Sequence, residues 1–178
     1  MNICVFCSAQ DVAEKYQNAA REFATLIGKN NHTLVWGGSD MGTMKIIADA
    51  VEAAGGKLFG ISLDAYKHNA RPNVENMLKV MTLGERKTLL LEKSDAIVVL
   101  PGGLGTLDEV TEVLELKKQG AHDKPIVFLN TDGFYDGFKM QFERMDAEGF
   151  LPRALHEFLL FVDTPEAAMR YIQEYGEN

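Results

Sequence analysis

The sequence predicts a three-layer α/β domain with a parallel sheet, with residues 1–178 forming one unit. Three observations carry this expectation. Short apolar runs alternate with stretches of helical periodicity six or seven times along the chain. No linker, repeat or low-complexity segment interrupts the alternation. Glycine-rich turns fall where strands hand over to helices, at WGGSDMGTM (36–44) and LPGGLGTLDE (100–109).

NICVFCS (2–8) reads as the first strand. In DVAEKYQNAAREFATLIGKN (11–30), Ala19, Phe23, Leu26 and Ile27 recur at helical spacing and Gly28 stands near the end. HTLVWG (32–37) is the second strand. SDMGTMKIIADAVEAAGG (39–56) opens on cap-type residues and closes on two glycines, as a helix does. KLFGISL (57–63) is a strand; the polar stretch 64–75, with Pro72, reads as a loop; MLKVMT (77–82) is a short strand. GERKTLLLEKS (84–94) is helical. DAIVVL (95–100) is the most apolar run and is expected at the centre of the sheet. A helix over 106–120 ends at Gly120, followed by a strand over 124–130 and a helix over 133–149. EFLLFVD (157–163) and TPEAAMRYIQEYG (164–176) complete the pattern, with Thr164 as N-cap and Pro165 at the first helical position.

Composition bounds the function. Hydrophobic residues make up 46% and charged residues 25%, an ordinary globular balance. The length suffices to bury a core without metals or disulfides. A net charge of -8 argues against a non-specific grip on a nucleic-acid polymer, but not against one phosphate held in a local pocket. No apolar run approaches the roughly 18 residues of a membrane span, and MNICVFCSAQ lacks the basic start of a signal peptide. A cytoplasmic protein without a membrane partner is expected. Cys4 and Cys7 are spaced C-x-x-C, yet residues three apart in a strand face opposite sides, so buried structural thiols are expected rather than a redox pair. His32, His68, His122 and His156 are scattered without a ligand cluster, so a structural zinc site is not expected; no cofactor is expected either.

Chemistry is sought at the two glycine turns. Each lets the backbone bend sharply and approach a ligand, and the helix behind it offers unpaired N–H groups at a positive dipole end. That combination suits phosphate. Neither turn is a Walker A loop, and GLGTLD carries Asp108 where a dinucleotide fingerprint needs its third glycine. Tight turns that simply require glycine are the alternative.

Glu109 has two readings. TLDE (106–109) has the spacing of a capping box, in which Thr106 caps the helix and Glu109 bonds back to the cap N–H. Alternatively, Glu109 points into the cleft, one turn below a phosphate, towards a sugar. Leu107, Val110 and Leu114 then form the buried stripe, leaving Asp108, Glu109 and Glu112 towards the mouth. Arg86 and Lys87 stand in the first turn of a helix, where cations are unfavourable beside the dipole. Either they are solvated, or an anion or carboxylate in the cleft accounts for them.

P-G-G-x-G-T-x-x-E (Pro101 to Glu109) with Arg86-Lys87 upstream resembles the LONELY GUY (LOG) family, some members of which carry an old lysine decarboxylase label. VFCSA (5–9), WGGSDMGTM (36–44) and AHDKPIVFLN (121–130) extend the resemblance over nearly the whole chain. It implies a Rossmann-like homodimer. It also implies phosphoribohydrolase activity, which cleaves a nucleoside 5'-monophosphate (a cytokinin riboside monophosphate or AMP) to free base and ribose 5-phosphate. Arg86 and Glu109 match the catalytic pair. Ser8, Gly38, Ser39, Lys87, Gly102, Gly103, Leu104, Gly105, Thr106 and Glu112 fall at substrate-binding positions. The chain departs from the family pattern at Ser39, Thr43 and Lys45 in the first glycine turn. It also departs at Ile61-Ser62-Leu63, at Leu83-Gly84 and at Glu115. A carrier that binds a nucleotide or the molybdenum cofactor without turnover is the alternative. Such a carrier would keep the glycine turns but would not need Arg86 with Glu109.

Overall fold

The computed structural model describes residues 1–175. Its elements run β1 (Asn2–Phe6), α1 (Glu14–Lys29), β2 (Thr33–Trp36), α2 (Gly42–Ala53), β3 (Lys57–Leu63), β4 (Asn76–Val80) and α3 (Leu83–Glu92). They continue through β5 (Ala96–Val99), α4 (Leu104–Lys118), β6 (Ile126–Leu129), α5 (Asp136–Ala147), β7 (Leu160–Val162) and α6 (Pro165–Tyr175). The seven strands form one sheet in the order β4-β3-β2-β1-β5-β6-β7. Every pairing is parallel. The α/β class with a parallel sheet is therefore as the alternation predicted. No described helix is long and apolar enough to cross a membrane.

Both faces of the sheet are covered, which is why its strands are nearly continuous apolar runs. On one face α1, α2 and α6 contribute Phe23, Ile27, Ile47, Val51, Met169 and Ile172 to the core with Ile3, Val5 and Trp36. On the other, Leu90 of α3, Val110 and Val113 of α4, and partly buried Phe138 and Phe142 of α5 pack against Cys4, Ile97, Val99 and Phe128. Cys4 and Cys7 lie on opposite faces as free buried thiols. Their strand alternation separates them as expected.

Three expectations need correction. The most apolar strand, β5, is not central; β1 is, and β5 is its neighbour. The second helix starts at Gly42 rather than Ser39, and Ser39 instead bridges to Ala70. Gly42 has φ +51, and a Cβ there would lie 2.5 Å from the Ala9 carbonyl oxygen, so the helix start is set by close packing of the chain leaving β1. The stretch 64–75 is not only a loop. It contains a 3-10 segment, Asp64–Asn69, within the connection between the parallel strands β3 and β4. The last helix opens as predicted on Pro165, and the Ala167 N–H donates to Thr164 Oγ1 at 3.2 Å. Its expected end at Gly176 lies outside the described residues.

Just past α4, His122 is half-buried. Its Nε2–H donates to the Val113 carbonyl at 2.9 Å, and its Nδ1 accepts from the Lys124 N–H at 3.2 Å. The accepting nitrogen requires the neutral ring, and burial holds its pKa below the ordinary histidine value. The unfolded chain therefore takes up this proton first. The stabilising contribution is complete above about pH 6.5 and is lost as pH falls through that value towards the lowered folded one. Thermal melts stepped from about pH 8 to about pH 5.5 should show a falling Tm. His122→Gln should flatten that slope without abolishing it, because burial also lowers His32. A variant slope parallel to that of the parent would place the loss at another group.

Candidate active site

The strand order reverses direction at β1, which pairs with β2 on one edge and β5 on the other. The chain leaves β1 for α1 on one face and leaves β5 for α4 on the opposite face, so the two connections diverge and open a crevice. A cleft of about 560 Å³ lies there. Its wall includes Ser8, Gly37, Ser39, Arg86, Lys87, Gly103, Leu104, Gly105, Thr106 and Glu109.

Helix α4 starts directly behind the glycine turn. Gly103 is its N-cap, and no side chain caps the first turn. Helical geometry leaves the N–H groups of that turn without intrahelical partners, and they point at the cleft wall formed by residues 103–106. With the helix dipole behind them they form an anion site. The start of α2 is less free, because the Met44 N–H already donates to the Ser8 carbonyl at 3.2 Å.

The capping-box reading of Thr106 and Glu109 is overturned. Thr106 is the third residue of α4 rather than its cap, and it is buried over Gly102, where a Cβ would lie 2.2 Å from Thr106 Oγ1. Glu109 Oε1 instead accepts from Arg86 Nη1 at 2.6 Å. Glu109 is also not at the mouth beside Asp108: it is 7% exposed and lies in the floor. An equivalent of the capping box occurs at α3, where Thr82 Oγ1 accepts from the Glu85 N–H and the Glu85 carboxylate accepts from the Met81 N–H, both at 3.1 Å.

Arg86 is fixed on three sides. Its Nε donates to the Ile61 carbonyl at 3.0 Å, and its Nη1 meets Glu109. The remaining nitrogen lies over Gly37, where a Cβ would be only 1.9 Å from Nη2. Gly37 is thus glycine because a guanidinium occupies the space of its side chain. Burial pushes the Glu109 carboxyl above the ordinary glutamate value, while the adjacent Arg86 charge pulls it down. Lys87 is not solvated either. It bonds Glu112 and, at 3.1 Å, Asp108, and these contacts, Glu112 first, raise its pKa. Cys7 also lines the cleft, but burial, with the Glu109 charge, keeps its thiol protonated and unreactive.

Of the residues singled out in the sequence, Arg86, Glu109, Ser8, Ser39, Lys87, Gly103, Leu104, Gly105 and Thr106 meet at the cleft. Gly38, Gly102 and Glu112 do not line it. Gly38, at φ +72, packs against Met77; Gly102 lies beneath Thr106; Glu112 reaches the cleft only through Lys87. Glu115 lies away from it, bonded to Lys118 and Gln119. Gly37, Tyr66 and the Ile61 carbonyl escape sequence reading. The pairing of two glycines after Trp36 and an aromatic residue inside a polar loop were the available signals, and a backbone acceptor leaves none.

Comparison with known proteins identifies relatives of the chain. The family model described as possible lysine decarboxylase matches residues 44–172. A cytokinin riboside 5'-monophosphate phosphoribohydrolase of Arabidopsis thaliana is 32% identical over 177 residues, covering 98% of this chain and 82% of its own. The protein of that name from Mycobacterium tuberculosis is 32% identical over 170 residues, covering 94% of this chain and 91% of its own. Among solved structures, a molybdenum cofactor binding protein from Rippkaea orientalis superposes with a TM-score of 0.76 at 21% identity, over 98% of this chain and 96% of its own. The Moco carrier protein of Chlamydomonas rheinhardtii gives 0.75 at 21%, over 99% and 98%. At that identity the structural likeness shows the fold alone.

Removing one partner of a buried ion pair leaves the other charge uncompensated, which costs about 3–5 kcal/mol. Arg86→Met should therefore destabilise the fold by that order in urea titrations near neutral pH. With Arg86 gone the folded pKa of Glu109 rises further above the unfolded value. The penalty should shrink as pH falls towards about 4.3, where the unfolded glutamate is half-protonated. A penalty that does not change with pH would mean that Glu109 is not the stranded charge.

Proposed function

The chain belongs to the family that joins the possible lysine decarboxylase model with the cytokinin riboside 5'-monophosphate phosphoribohydrolases, and on that premise we propose that it hydrolyses the N-glycosidic bond of a nucleoside 5'-monophosphate. The products are free base and ribose 5-phosphate, and AMP or a cytokinin riboside monophosphate serves as substrate. The observation that carries this reading is a buried carboxylate paired with an arginine one helical turn below an uncapped helix N-terminus.

In this proposal the 5'-phosphate binds the first-turn N–H groups of α4, so the missing P-loop lysine is not needed. The ribose then lies over Glu109. Breaking the C1'–N bond sends its electron pair to the base and leaves positive charge on the sugar ring, as in other glycoside cleavages. Ionised Glu109 stabilises that charge, or bonds C1' before water does. Water supplies the new hydroxyl at C1', and its proton balances the departing base. Arg86 orients Glu109 and opposes the effect of burial, which would otherwise favour the neutral carboxyl. Decarboxylase chemistry has no support in these residues. A Schiff base needs a neutral amine, whereas Lys87, the lysine on the cleft wall, is paired with two carboxylates that stabilise its charged form. The same proposal includes one nucleotide-binding domain per chain and a homodimer. Light scattering should give about twice the 19.8 kDa chain mass.

Glu109→Gln should lower kcat by two or more orders of magnitude, on the order of 3 kcal/mol or more of transition-state stabilisation, while monophosphate affinity largely survives. Base release from AMP and from adenosine should be measured side by side, because the phosphate site predicts turnover of AMP alone. Parental turnover by Glu109→Gln would remove the catalytic role of the carboxylate and favour the carrier reading, and equal hydrolysis of the two compounds would remove the phosphate from the proposal.

A further inference from the structure

The wall of the cleft opposite α4 carries no role in the mechanism above, yet it is firmly built. It comes from the connection between β3 and β4, which places Tyr66, Asn69 and Ala70 on the cleft. The Asn69 carbonyl accepts from the Asp40 N–H at 2.7 Å, and the Arg71 N–H donates to the Gly38 carbonyl at 2.8 Å. The Arg71 side chain, largely buried, bonds Asp40 at 2.8 Å and Asp49 and Glu52 at 2.6 Å each. One guanidinium thus fastens the connection both to the first glycine turn and to helix α2.

Among the described residues Tyr66 is the sole aromatic side chain on the cleft wall, and it is 60% exposed. The other tyrosines all have ring partners: Tyr16 packs on Phe134, Tyr135 on Phe128, and Tyr171 on Tyr175. Strand order gives the span. The connection follows β3 and the phosphate site follows β5, with β2 and β1 between them. Three inter-strand spacings of about 4.8 Å separate the two, on the order of the long dimension of a nucleoside monophosphate. A nucleotide anchored by its phosphate at α4, with its sugar over Glu109, therefore directs its base to this wall.

We propose that Tyr66 is the platform on which the base stacks, and that Arg71 is the positioning residue that holds it there. The proposal rests on the nucleotide reading above. Stacking uses the π-face common to every base, so Tyr66 supplies affinity for a base without selecting one by hydrogen bonds.

The test compares AMP with ribose 5-phosphate, which has the phosphate and sugar but no base. Tyr66→Ala should raise KM for AMP about tenfold or more, the scale of one lost base–aromatic stack, with a smaller change in kcat. Inhibition by ribose 5-phosphate should stay parental. Tyr66→Phe should restore KM, since the ring suffices. Arg71→Ala should raise KM in the same selective way, with part recovered in Arg71→Lys. An unchanged KM in Tyr66→Ala, or equal weakening of AMP and ribose 5-phosphate, would overturn the proposal. If the parent releases no base, calorimetric affinities for the two ligands replace KM. A selective loss of AMP in Tyr66→Ala would then uphold the stack while the hydrolase reading falls. Failure of the parent to bind AMP would overturn both.

Discussion

The contact between Arg86 and Glu109 organises the rest of the site. Two opposite charges, both largely buried, meet at 2.6 Å between helices α3 and α4. Neither is tolerable there alone, since an unpaired buried charge forfeits its hydration without compensation. Other features follow from accommodating the pair. Gly37 lacks a side chain where the guanidinium lies, the Ile61 carbonyl takes the Nε–H, and Thr82 with Glu85 fixes the start of the helix that carries Arg86. The same pairing keeps available a carboxylate that burial alone would drive towards the neutral form.

The topology explains why this pair can face a ligand. With β1 at the centre of the order β4-β3-β2-β1-β5-β6-β7, the connections on its two sides depart to opposite faces. The carboxyl edge of the sheet opens at that point and nowhere needs a side chain to hold it open. Helix α4 brings its uncapped N–H groups and Glu109 to one side, and the Arg71-fastened connection after β3 forms the other. In the proposed function the labour divides by chemistry: backbone donors for a phosphate, a buried carboxylate for a sugar, and an aromatic ring beyond them. Structural relatives that bind a molybdenum cofactor share the architecture, so the architecture alone does not decide between binding and turnover. In the proposed function the charged pair in the floor is what favours turnover.

Much of this was legible in the chain. Periodicity placed the strands and helices, and the glycine turns marked the ends of β2 and β5 as places for a ligand. Alternation along the chain of β1 and the residue after it separated Cys4 from Cys7 without any structure. Where the structure differs, local spacing was compatible with more than one outcome. T-x-x-E at 106–109 has the form of a capping box, but the helix starts two residues earlier, so Thr106 and Glu109 fall at the wrong positions for it. Ser39 is a good cap residue, yet Gly42 is pressed against Ala9, and the helix starts there instead.

The sequence by itself determined the order of elements, the α/β class, the glycine turns and the presence of Arg86 and Glu109 near the carboxyl edge. These depend on short-range physics: side-chain direction along a strand or helix, and the steric freedom of glycine. Only the tertiary structure decided which groups meet. Arg86 and Glu109 are 23 residues apart in sequence, and nothing in either segment states that the other is its partner. Their pairing depends on β1 and β5 lying side by side, which places α3 and α4 on one face with their first turns at one edge. The same holds for Arg71, whose three carboxylates lie 19 to 31 residues away, on the glycine turn and α2. Burial then converts these long-range contacts from weak surface attractions into constraints, because a charge withdrawn from water must find its counterpart in the fold.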